Sequence, residues 1–212
     1  MILEQIPTSP LGTNCYVLGD EQTGRAVVID PGNDAPLILE ALRRTQVTAE
    51  AIVVTHGHWD HLGAVRAVRH ATGAPFLAPA GDVEMIRAAG TSALLMGVYI
   101  DPPPDPDRTL SDGDVLTVGT LTLQVRAAPG HTPGHIILVG PGIAFVGDVV
   151  FAGAVGRTDL PGGDWEALEA TLREVILALP EDTLLYPGHG PATTVGRERA
   201  SNPFLVDLRP AP

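Results

Sequence analysis

Residues 53–63 read Val53-Val54-Thr55-His56-Gly57-His58-Trp59-Asp60-His61-Leu62-Gly63, an apolar run that leads directly into four side chains able to bind metals. In an extended segment residues i and i+2 point to the same side, so His56 and His58 can hold one ion. Asp60 and His61, where the chain turns toward a helix, can face a second ion. Alone, Asp60 would be an ordinary helix N-cap and each histidine an ordinary imidazole. The cluster as a whole predicts two metal sites at the end of a strand.

Three further metal-competent side chains follow apolar runs later in the chain: His131, Asp148 and His189. Each is expected at the end of a strand, as the first cluster is. The remaining two histidines are assigned differently. His70 is predicted on an exposed helix face, and His135 at the start of a strand, as a structural residue or a hydrogen-bond partner of a ligand.

The composition of the 212 residues excludes several classes of function. The net charge of −12 repels phosphate backbones, so nucleic acid is not expected as a partner. All 13 basic residues are arginine, which removes Schiff-base chemistry and the lysine of a phosphate-binding loop. Gly-x-Ser-x-Gly, Cys-x-x-Cys and Gly-x-Gly-x-x-Gly motifs are also absent from the sequence. Chemistry based on a protein nucleophile is therefore not indicated.

The location and domain organisation follow from similar observations. The chain contains no run of about 18 apolar residues and no signal-peptide pattern, so no membrane association is expected. The single cysteine, Cys15, is predicted to be a small buried hydrophobe in an N-terminal strand. A chain without an internal disulfide fits the cytoplasm. Residues 1–212 are interpreted as one domain, and the oligomeric state is not indicated.

Apolar and β-branched runs bounded by Gly, Pro or Asp predict the strands. The predicted strands are Tyr16–Leu18, Ala26–Ile29, Ala51–Thr55, Leu121–Ala127, Ile136–Val139, Ile143–Val146 and Thr183–Tyr186. The predicted helices are one capped by Asp34, one over His61–Thr72 and one over Asp164–Leu179. Because some neighbouring strands are separated by tight turns, we expect mixed sheets in an α/β sandwich. The acidic, proline-rich segment Asp101–Asp114 is predicted to be a stiff exposed loop that can rim a pocket.

Together these motifs resemble the metallo-β-lactamase superfamily. The segments Asp30-Pro31-Gly32, His131-Thr132-Pro133-Gly134-His135, residues 156–164 and Asn202-Pro203-Phe204 are similar to the short, single-domain type of glyoxalase II, a hydroxyacylglutathione hydrolase. The resemblance implies a four-layer αβ/βα sandwich with mixed sheets and with the metals at one edge.

The resemblance also implies roles for individual residues. Metal 1 would be held by His56, His58 and His131, and metal 2 by Asp60, His61 and His189, with Asp148 bridging the two. The implied cofactors are two divalent ions, with zinc preferred and iron or manganese compatible with the same ligands. Asp60 and Asp148 are the implied catalytic residues, and Arg157, Thr158 and Tyr186 are candidates for binding substrate.

Other functions of these residues stay open at this point. Arg157 can instead brace its loop against Asp159, while Trp59 and Tyr186 can be packing residues. Asp30 is predicted to brace a turn rather than to bind metal. β-Lactamases of the superfamily typically carry Cys or Ser at or near the position of Asp148, which argues against antibiotic hydrolysis.

The implied reaction is hydrolysis of a small thioester, such as an S-lactoylglutathione-like compound, by a hydroxide that bridges the metals. Which thiol the enzyme recognises is open. One alternative is a glutathione persulfide dioxygenase that holds a single iron through His56, His131 and Asp148. The other alternative is a non-catalytic metal-binding protein.

Overall fold

Two six-stranded sheets form the centre of the molecule in the computed structural model, which describes residues 1–208. The first sheet contains the N-terminal strands in the order in which they occur. They are β1 (Ile2–Thr8), β2 (Thr13–Asp20), β3 (Arg25–Ile29), β4 (Thr48–Val53), β5 (Phe76–Pro79) and β6 (Arg108–Leu110). The first three strands are antiparallel, and the strands from β3 to β6 run parallel. The sheet is therefore mixed.

The second sheet is also mixed, in the order β14-β13-β10-β9-β8-β7. Its strands are β7 (Val115–Val118), β8 (Leu121–Ala127), β9 (Ile136–Gly140), β10 (Ile143–Gly147), β13 (Leu184–Pro187) and β14 (Thr193–Thr194). Among the strands of this sheet within residues 1–208, β10 and β13 pair in parallel and the other neighbours are antiparallel. A separate two-stranded ribbon consists of β11 (Val150–Phe151) and β12 (Ala154–Val155).

Helices cover the outer face of each sheet. The first sheet is covered by α1 (Ala35–Thr45), α2 (Val65–Thr72) and α3 (Val83–Leu95), and the second by α4 (Trp165–Thr171) and α5 (Val195–Ser201). A π-helical turn, Leu172–Ile176, continues α4. Among residues 1–208, none of the helices has both the length and the apolar character that a membrane crossing demands.

The alternation of side chains along the strands divides the core into three clusters. In β2, Cys15 and Val17 face the helices, whereas Tyr16 and Leu18 face the second sheet. All four side chains are buried, which explains why this antiparallel strand has a continuous apolar sequence. The order of layers is helix, sheet, sheet, helix, so the predicted four-layer sandwich is confirmed.

Two of the predicted helices begin differently from the expectation. The helix predicted over His61–Thr72 starts only at Val65, after a short 3₁₀ turn at Trp59–His61. Between them Gly63 lies against the Gly32 carbonyl, where a Cβ would come within 2.4 Å. Asp34 precedes α1, but its carboxylate accepts hydrogen bonds from Ser9 instead of capping the helix. In both places a tertiary contact with another loop determines the local geometry.

The third predicted helix is confirmed at its start and shorter at its end. Asp164 caps α4 by accepting a hydrogen bond from the amide of Ala167. The helix then widens into the π turn and ends at Ile176 rather than at Leu179.

The segment Asp101–Asp114, predicted to be a loop, contains the short strand β6 at Arg108–Leu110, which pairs with β5. The acidic part before this strand is held by arginines of two helices. Arg66 and Arg69 of α2 pair with Asp101 and Asp107, and Arg87 of α3 pairs with Asp105.

Candidate metal centre

The metal-competent side chains are carried by loops at one edge of both sheets. His56 and His58 follow β4, and Asp148 follows β10. His189 follows β13, which runs parallel to β10, so the carboxyl ends of these two strands lie side by side. His131 lies in the loop between β8 and β9.

The first group of nitrogen donors consists of His56, His58 and His131, whose ring nitrogens lie within 4.8 Å of one another. Nδ1 of His58 is only 2.8 Å from Nε2 of His131. Two ring nitrogens that face each other with their lone pairs repel unless a cation or a proton lies between them. This arrangement therefore suits a metal ion.

The second group consists of Asp60, His61 and His189. Oδ2 of Asp60 lies 3.2 Å from Nε2 of His189 and 3.5 Å from Nε2 of His61. Asp148 lies between the two groups: its Oδ2 is 3.5 Å from Nε2 of both His131 and His189, and its Oδ1 is 3.5 Å from Nε2 of His61. One carboxylate thus contacts histidines of both groups.

Hydrogen bonds hold two of the imidazoles in the tautomer that a metal ligand needs. Nδ1 of His131 donates to the carbonyl oxygen of Arg157 at 2.7 Å, which leaves the lone pair on Nε2. The hydroxyl of Thr55 donates to Asp30 and lies 3.0 Å from Nδ1 of His56. Nδ1 of His56 therefore donates to this hydroxyl, and its lone pair also resides on Nε2.

Several atoms that face the centre are buried and have no hydrogen-bond partner: Nε2 of His56, Nε2 of His61 and Oδ1 of Asp148. Leaving such an atom unsatisfied costs about 1–3 kcal/mol, more if it is charged. A cation bound by these lone pairs removes that cost. Imidazole and carboxylate ligands without thiolate suit zinc, iron and manganese. The residues present therefore fit two divalent ions.

The electrostatics of the two groups differ. Burial, together with the neighbouring His131 and His61, lowers the pKa of His58 to about 4, so this imidazole is neutral at pH 7. Burial opposes ionisation of Asp148, but the nearby imidazoles outweigh it and hold its pKa well below the usual range. The pKa of His61 is raised by Asp60, Asp148 and Asp30 against the effect of its burial. The carboxylates around the second group therefore stabilise a positive charge at His61.

Glycines allow the backbone to approach these ligands closely. A Cβ on Gly188 would lie 2.1 Å from Oδ1 of Asp148 and 2.7 Å from Cε1 of His61. A Cβ on Gly156 would lie 1.8 Å from the carbonyl oxygen of Asp148. Only glycine fits at either position without displacing a ligand.

The three candidate substrate residues lie in different environments. Arg157 belongs to the loop between β12 and α4, and its side chain forms a two-point ion pair with Asp159 at 2.7 and 2.8 Å. Thr158 lies in the same loop, half-buried. The ring of Tyr186 stacks on Phe145 with the centroids 5.4 Å apart, at the boundary of the core between the sheets. The ring of Tyr186 therefore packs against the core, while the carbonyl oxygen of Arg157 contacts His131.

Residues outside the two groups also contact the ligands. The sequence did not assign such a role to Thr13, whereas His135 was predicted to be a structural residue or a hydrogen-bond partner of a ligand. Thr13 is the first residue of β2, and its hydroxyl donates a hydrogen bond to Oδ2 of Asp60 at 2.9 Å. Nε2 of His135 accepts a hydrogen bond from the amide of Asp148 at 3.1 Å, which makes it a ligand-supporting residue. Asp30 lies 3.1 Å from Nδ1 of His61. No local pattern identifies Thr13, because its partner is 47 residues away.

Comparison with known proteins agrees with the family resemblance found in the sequence. A family model described as the metallo-beta-lactamase superfamily matches residues 8–189. A hydroxyacylglutathione hydrolase, GloC of Haemophilus influenzae, is 34% identical over 209 residues, which are 97% of this chain and 98% of that protein.

Two crystal structures are also similar over almost the whole chain. BLEG-1, a B3 metallo-beta-lactamase, is 41% identical with a TM-score of 0.90, covering 96% of this chain and 99% of that one. TTHA1623 in a di-iron-bound form is 38% identical with a TM-score of 0.88, covering 95% of this chain and 100% of that one.

Proposed function

The chain belongs to the metallo-β-lactamase superfamily, and we propose that it is a dinuclear metallohydrolase that cleaves thioesters of glutathione or of a similar small thiol. The observation that carries this proposal is the position of Asp148, which contacts histidines of both donor groups. A carboxylate in this position would be available to both ions of a two-metal site. The likeness to GloC supports a thioester as the substrate.

The ligands would be divided between two ions. His56, His58 and His131 would hold the first and Asp60, His61 and His189 the second, with Asp148 shared. Zinc fits this donor set, and iron is an alternative that the di-iron form of TTHA1623 supports. When bound, such a pair of ions supplies hydroxide at neutral pH and stabilises negative charge on a carbonyl oxygen.

The residues of the chain contribute orientation and proton transfer. Hydrolysis joins a water oxygen to the thioester carbonyl carbon and breaks the bond to sulfur, and the leaving thiolate needs a proton. We assign Asp60 to hold the proton that the attacking water loses and to pass it on to the leaving thiolate, because Thr13 and His189 fix its Oδ2. No serine or cysteine nucleophile is needed.

We assign substrate contacts to Arg157 and Thr158, which follow the β11–β12 ribbon. The carbonyl group of Arg157 already positions His131, and its exposed guanidinium is paired with Asp159. A carboxylate of the substrate can replace Asp159 in the same two-point geometry. We also propose a small-molecule partner rather than nucleic acid, because of the net charge of −12, and a cytoplasmic location, because the lone cysteine forms no disulfide.

The proposal is tested by measuring three reactions on one metal-loaded sample: thioester hydrolysis, oxygen uptake on glutathione persulfide and β-lactam hydrolysis. We expect S-lactoylglutathione hydrolysis with two metals per chain, together with no oxygen uptake on glutathione persulfide. One iron per chain with oxygen uptake and no thioester hydrolysis would transfer the assignment to the dioxygenase. β-Lactam hydrolysis without thioester hydrolysis would instead assign the activity named for BLEG-1. Loss of all three reactions in a sample with full metal content would favour a non-catalytic protein.

A further inference from the structure

Asp82 lies at the junction of β5 and α3, between the loop that carries His56 and His58 and the loop that carries His131. Its side chain is buried, with 1% of its surface exposed. In the sequence it follows a glycine shortly after an apolar run, as Asp148 does. Asp82 contacts the two loops but belongs to neither donor group.

The carboxylate of Asp82 accepts hydrogen bonds from both loops. Oδ2 accepts from the amide of Gly57 at 2.9 Å and from the hydroxyl of Thr132 at 2.6 Å, and Oδ1 accepts from the amide of Gly134 at 2.7 Å. Gly57 lies between His56 and His58 in the sequence, and Thr132 directly follows His131. Hydrogen bonds to an ionised acceptor are about twice as strong as neutral ones.

The backbone around Asp82 is packed against the same two loops with little free space. A Cβ on Gly81 would lie 2.7 Å from Cα of Gly134, and a Cβ on Gly57 would lie 2.8 Å from Cβ of Met85. The start of α3 therefore acts as a spacer between the loops. Because the packing leaves little room to absorb a shift, we expect a change in the three hydrogen bonds to move the two loops relative to each other.

From these contacts we propose that Asp82 is a positioning residue that sets the separation of His58 and His131 and so the metal affinity of the first donor group. The separation in question is the 2.8 Å between Nδ1 of His58 and Nε2 of His131. This inference rests on the proposed metal-dependent function. Its test therefore has to distinguish a failure of the inference from a failure of that function. Outer residues that orient ligands typically change metal affinity by about 10–100-fold when they are replaced.

A matched control exists at the other end of the first sheet. Asp20 is 3% exposed and also accepts three hydrogen bonds, from the amides of Gln22 and Thr120 and the hydroxyl of Thr23. It ends β2, whose first residue, Thr13, is the one that contacts Asp60. Eight residues of strand span about 25 Å, so Asp20 lies far from the metal centre. Replacing Asp20 therefore measures the effect of losing a buried aspartate that accepts three hydrogen bonds but does not contact the metal centre.

The experiment compares Asp82→Asn with Asp20→Asn in the full chain. An amide at position 82 keeps the size of the side chain but removes one acceptor, so at least one of the three hydrogen bonds is lost. Zn²⁺ affinity is measured by competition with a chromophoric chelator, and the visible spectrum of the Co²⁺-substituted protein reports the geometry of the ligands. We expect one site of Asp82→Asn to bind Zn²⁺ about 10–100-fold more weakly with an altered Co²⁺ spectrum. In Asp20→Asn both readouts stay at the wild-type values.

Thr132→Val is a milder second variant, which serves if Asp82→Asn does not fold. It preserves the shape of a fully buried side chain and removes one donor to Asp82. We expect it to weaken the same site to a smaller extent. Wild-type affinity and spectrum in both variants would overturn the role of Asp82 and leave the proposed function intact. A wild-type chain that binds no Zn²⁺ would overturn the proposed function and this inference together.

Discussion

Oδ2 of Asp30 lies 3.1 Å from Nδ1 of His61, and the same carboxylate accepts hydrogen bonds from the amide and the hydroxyl of Thr55. The Thr55 hydroxyl is in turn 3.0 Å from Nδ1 of His56. One buried aspartate therefore supports a histidine of each donor group, through a direct contact on one side and through a threonine on the other. The sequence predicted a bracing role for Asp30, and the structure identifies what it braces.

Replacing Asp30 with asparagine is expected to weaken both metal sites. The amide cannot accept all of the contacts that the carboxylate makes, so His61 and His56 lose part of their orientation. We expect metal affinity to fall by about 10–100-fold, measured by chelator competition. Asp34→Asn is the control, because this nearby aspartate binds Ser9 rather than a ligand. An unchanged affinity in Asp30→Asn would show that these contacts do not matter.

Gly188→Ala is expected to damage the metal centre more than the fold. The added Cβ would meet Asp148 at 2.1 Å and His61 at 2.7 Å, so one of these ligands has to move. Metal content and thioester hydrolysis are the measurements, and both should fall by about 10-fold or more. Gly12→Ala is the control: its φ of 72° makes alanine strained by about 1–2 kcal/mol, but no atom lies within 4 Å of the new Cβ. Equal losses in the two variants would point to general destabilisation instead.

Asp148→Ala is expected to abolish activity while leaving most of the fold intact. Alanine removes the only carboxylate that contacts histidines of both donor groups in the described residues 1–208. Thioester hydrolysis should fall by more than about 10²-fold, while the far-ultraviolet circular dichroism stays that of the wild type. Thr194→Ala removes the N-cap of α5 at a cost of about 1 kcal/mol and should retain activity. Full activity in Asp148→Ala is incompatible with the proposed mechanism.

The contribution of Asp20 to stability is expected to depend on pH. Hydrogen bonds from the amide of Thr120, the hydroxyl of Thr23 and the amide of Gln22 hold the pKa of Asp20 well below its usual range. Because the folded pKa lies below the unfolded value of about 3.9, this stabilisation is fully present above pH 4 and is lost as the pH falls further. Thermal unfolding should show the largest difference in Tm between wild type and Asp20→Asn at pH 6–7, shrinking below pH 4. A difference that is constant from pH 7 to pH 3 would exclude ionisation of Asp20 as its cause.

Much of the metal centre could be predicted from the sequence because its parts share a local pattern. Each of His56, His131, Asp148 and His189 follows an apolar run, and the structure brings these side chains to one edge of the two sheets. Apolar and β-branched runs bounded by Gly, Pro or Asp located most of the central strands for the same reason. The assignment of each residue as a ligand stays a prediction until metal is measured.

The features that the sequence did not predict depend on contacts between distant segments of the chain. The helix α3 was not predicted, since Gly90, Thr91 and Ser92 in its second half weaken the helical pattern. Asp82 at its start was missed with it, although the Gly-Asp pair after an apolar strand repeats the signal that identified Asp148. Helix α2 begins late because Gly63 packs on the Gly32 turn, 31 positions earlier in the sequence. Such boundaries follow from tertiary packing rather than from local propensity.

The most direct test of the central claim is the number of metal ions that the chain retains after exhaustive dialysis, measured by elemental analysis. We predict two divalent ions per wild-type chain, and a partial loss in His131→Ala and in His189→Ala, since each variant removes a ligand from a different group. His70→Ala, on the exposed face of α2, should retain both ions. Retention of no metal by the wild type, or of the same number by all four proteins, would contradict the account.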